Sequence, residues 1–409
     1  MLLASFLFRQ IIKIGRLTVI DHLGRQYVFA GAAGPNVTIR LHDAATARKI
    51  ALNPRLYIGE AYMDGRLTIE EGDVYSFLEF CALNSTALDR NFLLDLAYRI
   101  QILLRRFQQY NPVGKSRENV AHHYDLSGRL YELFLDADRQ YSCAYFTSDN
   151  DSLEVAQENK KRHIAAKLLL KPGCKVLDIG SGWGGLGIYL AKVGGADVTG
   201  ITLSAEQHKV SNERAAAAGL SGRVRFEMRD YREQTGKFDR IVSVGMFEHV
   251  GVNHYREFFE KIRDLLTDDG VALLHSIGRA DGPGTTNPWL RKYIFPGGYS
   301  PALSEVLPVV ERTGLFVTDI EILRLHYAQT LREWRRRFEK ARDQIKALYD
   351  ERFCRMWEFY LAGSELAFRY QGHIVFQMQL AKRVDAVPLT RDYILEWERA
   401  NAGRDTIAA

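Results

Sequence analysis

Val176-Leu177-Asp178-Ile179-Gly180-Ser181-Gly182-Trp183-Gly184-Gly185 is an apolar strand that runs into a glycine-dense turn, and residues 186–193 after it read as a helix. Such a turn lets the backbone approach a bound cofactor closely, because glycine has no Cβ and accepts φ/ψ values closed to other residues. Gly180, Gly182 and Gly185 match the dinucleotide spacing G-x-G-x-x-G, a pattern of low specificity by itself. Two features move the reading from a nicotinamide cofactor to S-adenosylmethionine. Asp178 stands two residues before the first glycine. The next strand ends at Gly200-Ile201-Thr202-Leu203-Ser204, where an NAD enzyme would place an acid on the ribose hydroxyls. A turn without a ligand would cost the backbone entropy of several glycines for no gain in folding.

Outward from this turn, residues 175–179, 197–201, 224–226, 238–244 and 271–275 are apolar, β-branched runs. Helical stretches separate them, notably 205–218 and 255–266. Alternating strands and helices predict an α/β fold with a doubly wound, Rossmann-like parallel sheet. Ligands bind beyond the carboxyl ends of such strands, and Asp178, Ile201, Val244 and His275 all fall at or near those ends. Residues 280–345 interrupt the alternation and are expected to cover the site, and 373–382 form a late strand. Before residue 118 the pattern differs. Residues 17–29 and 37–41 read as strands around a turn at 31–35, residues 57–69 as strand-like pieces broken by Gly59 and Gly65, and 74–81 and 91–107 as helices. Asn111-Pro112-Val113-Gly114-Lys115-Ser116 has the composition of a linker. The expected division is a small α+β accessory domain over 1–110 and a cofactor-binding domain over 111–409.

The chain has 409 residues, enough for two or more domains, and its 46% hydrophobic and 26% charged residues are ordinary for a globular protein. A net charge of +5 is too small to imply nucleic acid but suits an anionic membrane surface. No run is long enough to span a bilayer. Cys81, Cys143, Cys174 and Cys354 have neither zinc-ligand nor disulfide-framework spacing, which predicts no metal site and a reducing cytoplasm. Residues 1–16 are apolar with Arg9, Lys13 and Arg16 as their only charges. The charges come too late for a signal peptide. The segment reads either as a helix packed on its own domain or as an interfacial helix with basic residues at the headgroups.

Phe238-Asp239-Arg240-Ile241-Val242-Ser243-Val244-Gly245-Met246-Phe247-Glu248-His249-Val250-Gly251 opens a buried strand directly onto an acid and a histidine. Adjacent side chains diverge there, so at most one of Glu248 and His249 points into the pocket. Glu248 reads equally as an acceptor for a polar ligand or as a charge on a helix N-terminus. His275 closes the run Val271-Ala272-Leu273-Leu274-His275 beside the cofactor rim, where a structural and a catalytic role are evenly balanced. Most rings of Tyr141-Ser142-Cys143-Ala144-Tyr145-Phe146 read as core, and Cys143 as a small hydrophobe. Leu331-Arg332-Glu333-Trp334-Arg335-Arg336-Arg337-Phe338-Glu339-Lys340 is a basic helix that is either a solvated face or a headgroup-contacting surface with Trp334 at the interface, extended by Arg105 and Arg106.

Taken together, Asn119-Val120-Ala121-His122-His123-Tyr124-Asp125-Leu126, the tract from Tyr141 to Phe146, the Asp178 turn, Thr202-Leu203-Ser204-Ala205-Glu206-Gln207, the tract from Gly245 to Gly251 and Leu274-His275-Ser276-Ile277-Gly278 resemble the cyclopropane-fatty-acyl-phospholipid synthases. The matches run in order from about residue 118 to the C-terminus, and their combination is specific. The resemblance implies a class I methyltransferase domain and an N-terminal accessory domain that binds lipid. Tyr141 and Ser142, the Leu177–Gly185 stretch with Asp178, Gly180, Ser181, Gly182, Trp183 and Gly184, then Thr202, Leu203, Ser204 and Gln207, and Asp230 with Tyr231 would contact S-adenosylmethionine. A bicarbonate ion would be held by backbone groups of Cys143 and Ile277 and by the side chains of Glu248, His275 and Tyr327. The implied reaction adds a methylene across a cis double bond of phospholipid acyl chains, with bicarbonate as the base. The implied setting is the inner face of a membrane, with the protein peripheral and a homodimer. A lipid C-methyltransferase giving branched chains, a small-molecule N-methyltransferase and a non-catalytic lipid-binding module are the competing readings. Some family members carry a cysteine in the helix before the last strand. Here Ser364 stands at that place, which argues against covalent cysteine catalysis.

Overall fold

The computed structural model describes residues 2–85 and 128–402, with backbone only for residues 2–4. The expected helix at 91–107, the linker at 111–116, the 119–126 motif and the Arg105–Arg106 pair lie outside the described residues. Two compact units emerge: 1–105 with 285–296 and 331–372, and 106–284 with 297–330 and 373–409.

The first unit carries β1 (Ile14–Ile20), β2 (Gln26–Ala30), β3 (Ala32–Leu41) and β4 (Leu67–Glu71) in the order β2-β1-β3-β4. The turn between β1 and β2 falls at 21–25 rather than 31–35. Asp21 Oδ1 accepts from the amides of Leu23 and Arg25, and Gly24 takes φ +79°. This side-chain-to-backbone turn competed with the Gly-Pro signal downstream, which lies inside β3. Residues 54–63 form the helix Pro54–Met63, not strand pieces, because Pro54 sits at the first helical positions where its missing N–H costs nothing. The opening helix Leu2–Ile11 packs on its own unit through Leu7, Phe8 and Ile12, with Phe8 edge-on to Phe29 at 5.4 Å.

The single boundary expected near residue 110 is corrected by the structure. The helix Glu351–Tyr370 belongs to this first unit, where Ala362 and Leu366 join the core of Phe77, Leu78 and Val19. Trp289, 1% exposed, packs at 4.7 Å against Phe359 with the rings tilted by 58°, and its indole N–H points to Met63 Sδ at 3.1 Å. A hydrophobic face in sequence says that a helix is buried, not against which partner. The basic helix is also corrected. Within His326–Lys340, Leu331, Trp334 and Phe338 are all buried, so Trp334 is a core residue and not an interfacial one. Arg335 lies over the Tyr75 ring at 4.5 Å and pairs with Glu365.

The second unit is built on β5 (Lys175–Ile179), β6 (Asp197–Thr202), β7 (Val224–Met228), β8 (Phe238–Val244), β9 (Leu266–Arg279), β10 (Phe316–Ile322) and β11 (His373–Ala381). Their spatial order is β10-β11-β9-β8-β5-β6-β7, and β11 runs antiparallel to both neighbours. This is the class I methyltransferase sheet. Val176, Val198, Val242 and Leu273 pack on one face, and Leu177, Ile201, Ile241 and Ala272 on the other. A parallel sheet covered on both faces needs such unbroken apolar runs. The expected cover at 280–345 is not one element, since β10 is the edge strand of the sheet. Strand order reverses between β5 and β8, and a crevice opens there. Truncation of Trp289 to Ala is expected to destabilise the first unit by about 3–5 kcal/mol, the usual range for emptying a large aromatic site. A lowered urea midpoint in that unit's unfolding transition checks it.

Candidate active site

The glycine turn is bound to the neighbouring strand. The amides of Gly180 and Ser181 both donate to the Ile201 carbonyl at 3.0 Å. Gly180 and Gly184 have φ +84°, and Gly182 has φ +53°. A Cβ on Gly180 would lie 2.8 Å from the Met246 side chain. The helix Gly185–Gly194 follows the turn, and its first residue is packed under the side chains of Asp138 and Gln140, which leave no room for a Cβ.

Tyr141, Ser142, Asp178, Gly180, Ser181, Gly182, Trp183, Thr202, Leu203, Gln207, Asp230 and Tyr231 line one cavity there. Two expected contacts do not. Gly184 is packed against Ser211 and Phe226, and Ser204 turns its hydroxyl to the Gln207 amide as the N-cap of the helix Ala205–Ala217. Thr202 Oγ1 and Gln207 Oε1 are joined at 3.0 Å, and Asp230 forms a two-point ion pair with Arg232.

Asp178 is 2% exposed, and its Oδ2 has no hydrogen-bond partner. Burial pushes its carboxyl up to about 7, against the pull of the Lys160 ammonium. Lys160 also lines the cavity. It donates to Gln140 Oε1 at 2.6 Å and Ser142 Oγ at 2.8 Å, and burial brings it down to about 8. Sequence reasoning missed Lys160, along with Arg139, Gln140, Arg229 and Arg232; of the adjacent pair it left open, His249 is the one that lines the cavity. Lys160 sits in the charge run of the helix Leu153–Lys167, whose buried face also holds Gln157, Lys161, His163 and Lys167. Only the spacing with Ile164 and Ala156 hinted at an inward face.

Five further expected residues, Cys143, Glu248, His275, Ile277 and Tyr327, are not part of that cavity's lining. Phe247, fully buried and stacked on Tyr255 at 4.5 Å, fixes the short turn Phe247–His249. His249 faces the cavity, whereas Glu248 turns to β9, where Oε1 accepts from the Ile277 amide at 2.6 Å. Glu248 Oε2 has no partner, and burial raises the carboxyl to about 7. His275 is 2% exposed, held down to about 3 by burial, and its Nδ1 lies 3.1 Å from Gln377 Nε2. Cys143 is buried with its thiol pushed up and its Sγ on the Ala144 carbonyl. The Ala144 amide donates to Thr330 Oγ1 at 3.0 Å, one helical turn after the buried Tyr327. The structure thus ties Glu248 directly to Ile277, and Cys143 to the Tyr327 helix through Ala144 and Thr330. His275 is tied to Gln377. The Ile277 amide, expected on the bicarbonate ion, is here taken by Glu248.

The family model described as mycolic acid cyclopropane synthetase matches residues 113–378. The chain belongs to this family. It is 36% identical over 371 residues to a probable fatty acid methyltransferase of Pseudomonas putida, covering 88% of this chain and 91% of the relative. It is 36% identical over 349 residues to the cyclopropane-fatty-acyl-phospholipid synthase of Escherichia coli strain K12, covering 85% and 88%. The crystal structure of a mycolic acid cyclopropane synthase complexed with SAH and CTAB superposes with a TM-score of 0.62 at 32% identity, over 66% of this chain and 99% of that one. This cyclopropane synthase relative is an S-adenosylmethionine-dependent methyltransferase that modifies lipids.

The site fits that donor. The left-handed glycines form a cradle that a Cβ would fill, and the buried, unpartnered Asp178 Oδ2 waits for a polar hydrogen. Only the ionised Asp178 attracts an ammonium group strongly. The affinity for S-adenosylhomocysteine is therefore expected to rise with pH through about 7. Asp178→Asn should remove that dependence and weaken binding about tenfold or more, the loss of one charge-assisted hydrogen bond. Calorimetry across pH 6 to 8 checks both; a pH-independent wild type would refute the assignment.

Proposed function

We propose that the protein transfers a methylene from S-adenosylmethionine to the cis double bond of unsaturated phospholipid acyl chains and forms cyclopropane fatty acids, with bound bicarbonate as the base. The observation that carries this reading is the burial of the three ionisable residues Glu248, His275 and Cys143. Glu248, His275 and Cys143 are ionisable, yet burial holds the histidine and the thiol neutral and the acid near half-titration. Such a nearly uncharged polar patch suits a small trapped anion beside an apolar chain. When bound, the sulfonium donor supplies an electrophilic methyl group and bicarbonate supplies a proton acceptor where a lipid tail offers none.

The chain's own residues supply the rest. Glu248 Oε1 is anchored by the Ile277 amide, which leaves Oε2 to accept the proton of an anion, or to donate one when the acid is protonated. Neutral His275 and the Tyr327 hydroxyl are donors to anion oxygens. Cys143 is not a nucleophile, because a thiol raised by burial carries almost no thiolate. Glu248, His275 and Tyr327 together are the proposed anion site, with the backbone of Cys143 and the donor side of the cavity next to it.

Membrane contact belongs to the same reading. On the opening helix Phe6 is 64% exposed, and Arg9 on the same helix and Lys13 and Arg16 after it in the chain are exposed as well. An exposed ring among cations is the chemistry of an anionic lipid surface. We place the protein peripherally on the cytoplasmic face of the membrane, as a homodimer. Phe6→Ser is expected to weaken sedimentation with phosphatidylglycerol vesicles while leaving S-adenosylhomocysteine binding unchanged. Equal binding of wild type to neutral and anionic vesicles would overturn the lipid contact.

The name of the Pseudomonas putida relative favours a second reading, a fatty acid methyltransferase giving a branched chain. Incubation with S-adenosylmethionine and unsaturated phosphatidylglycerol vesicles, followed by proton NMR of the fatty acids, separates them. Upfield ring protons are expected. Olefinic methylene or branched methyl signals would overturn the cyclopropane product. Glu248→Gln is expected to lower kcat about 100-fold or more, as loss of a group acting in proton transfer does. S-adenosylhomocysteine affinity should barely change.

A further inference from the structure

β11 reads His373-Ile374-Val375-Phe376-Gln377-Met378-Gln379-Leu380-Ala381, and its interior is buried throughout. Two glutamines stand in that apolar run. Gln379 is explained locally, since its Nε2 donates to the Lys167 carbonyl at 2.6 Å and to the Tyr393 hydroxyl at 2.9 Å. Gln377 has no backbone partner of this kind. It is 0% exposed, and its Oε1 has no hydrogen-bond partner. A buried amide left half-satisfied costs stability that Leu or Met at the same place would not.

The register of the sheet shows what Gln377 does. Gln377 and His275 are directly paired across β9 and β11, so their side chains rise on the same face. The amide Nε2 meets His275 Nδ1 at 3.1 Å. An amide nitrogen only donates, so Nδ1 is the acceptor and carries no hydrogen. The reverse amide orientation would leave both N–H groups of Gln377 without partners in the apolar interior. The adopted orientation leaves one N–H and the carbonyl oxygen instead, and an orphaned carbonyl oxygen is more tolerable than a second orphaned N–H. Neutral His275 then carries its proton on Nε2, and among the described residues no protein group is hydrogen-bonded to that nitrogen.

We propose that Gln377 is a positioning residue: by donating to His275 Nδ1 across the β9–β11 pair it locks the imidazole as the Nε2–H tautomer and orients it as a hydrogen-bond donor to the proposed anion site. This deepens the reading of His275 given above and rests on it. His275 under this constraint is a donor and not a base, because taking a proton on Nδ1 would set N–H against the N–H of Gln377. The burial that keeps the ring neutral acts in the same direction.

Nitrogen-15 NMR of the histidine-labelled protein tests this without turnover, with His275→Gln used to assign the signal. Wild type is expected to show a protonated Nε2 and an unprotonated Nδ1. Gln377→Glu replaces the donor by an acceptor, so the proton should move to Nδ1 and the ring should titrate at higher pH. Its kcat should fall roughly 10–100-fold, the usual effect of losing the group that orients a functional imidazole, with KM for S-adenosylmethionine within twofold. Gln377→Met keeps the volume, so it should fold even if the glutamate variant does not, and should show a mixture of tautomers. A protonated Nδ1 in wild type overturns the proposal, as does an unchanged tautomer and kcat in Gln377→Met. An Nε2–H tautomer together with a product other than cyclopropane would leave Gln377's role standing and remove the reaction reading instead.

Discussion

Desolvation at the carboxyl ends of β5, β8 and β9 governs the chemistry of this protein. Three titratable groups, Asp178 near the end of β5, Glu248 in the turn after β8 and His275 within β9, are each almost wholly out of water. For Asp178, moving from 3.8 to about 7 disfavours the ionised form by on the order of 4 kcal/mol. That cost is comparable to a large part of a domain's net stability. The apolar runs of the sheet, packed on both faces, provide the burial that offsets it. The same burial strengthens any interaction those groups make with a ligand's charge.

The two sets of residues divide the work by polarity. The donor cavity carries charged side chains, with Arg139, Lys160, Arg229 and the Asp230–Arg232 pair in its lining. The expected anion-site residues are kept neutral or nearly so by burial; the Gln377 bond acts the same way on His275, whereas the Ile277 bond favours the ionised form of Glu248. A charged donor and an apolar acceptor need opposite surroundings. Consecutive residues part ways at the cavity wall: Ser142 lines it while Cys143 does not, and His249 faces it while Glu248 turns to β9.

Much of this was legible in the chain. The strands β5, β6 and β8 were apolar enough to read almost residue by residue, because a parallel sheet buried on both faces leaves no alternation to confuse with a helix, whereas β9 is longer than expected at both ends and the edge strand β10 was not foreseen. The turn at Gly180–Gly184 was legible because only glycine adopts those angles at such close approach. The N-terminal unit was less so. A hairpin closed by Asp21 and a helix opened by Pro54 depend on single side-chain-to-backbone or steric effects, which compete with stronger Gly and Pro signals nearby. Lys160 was invisible, since a buried lysine in a charge run looks the same as a solvated one until its partners are known.

The residues alone determined the alternating strands and helices, the cofactor turn and the chemical types available at the strand ends, because these rest on backbone preferences and local periodicity. Only the tertiary structure decided that residues 285–296 and 331–372 join the first unit and that Trp334 is core. It also decided that Glu248 reaches Ile277 and that Gln377 faces His275. Each of those depends on pairing between segments far apart in the chain. Register and packing partners are set by the whole surface that must be buried at once, which no local window contains.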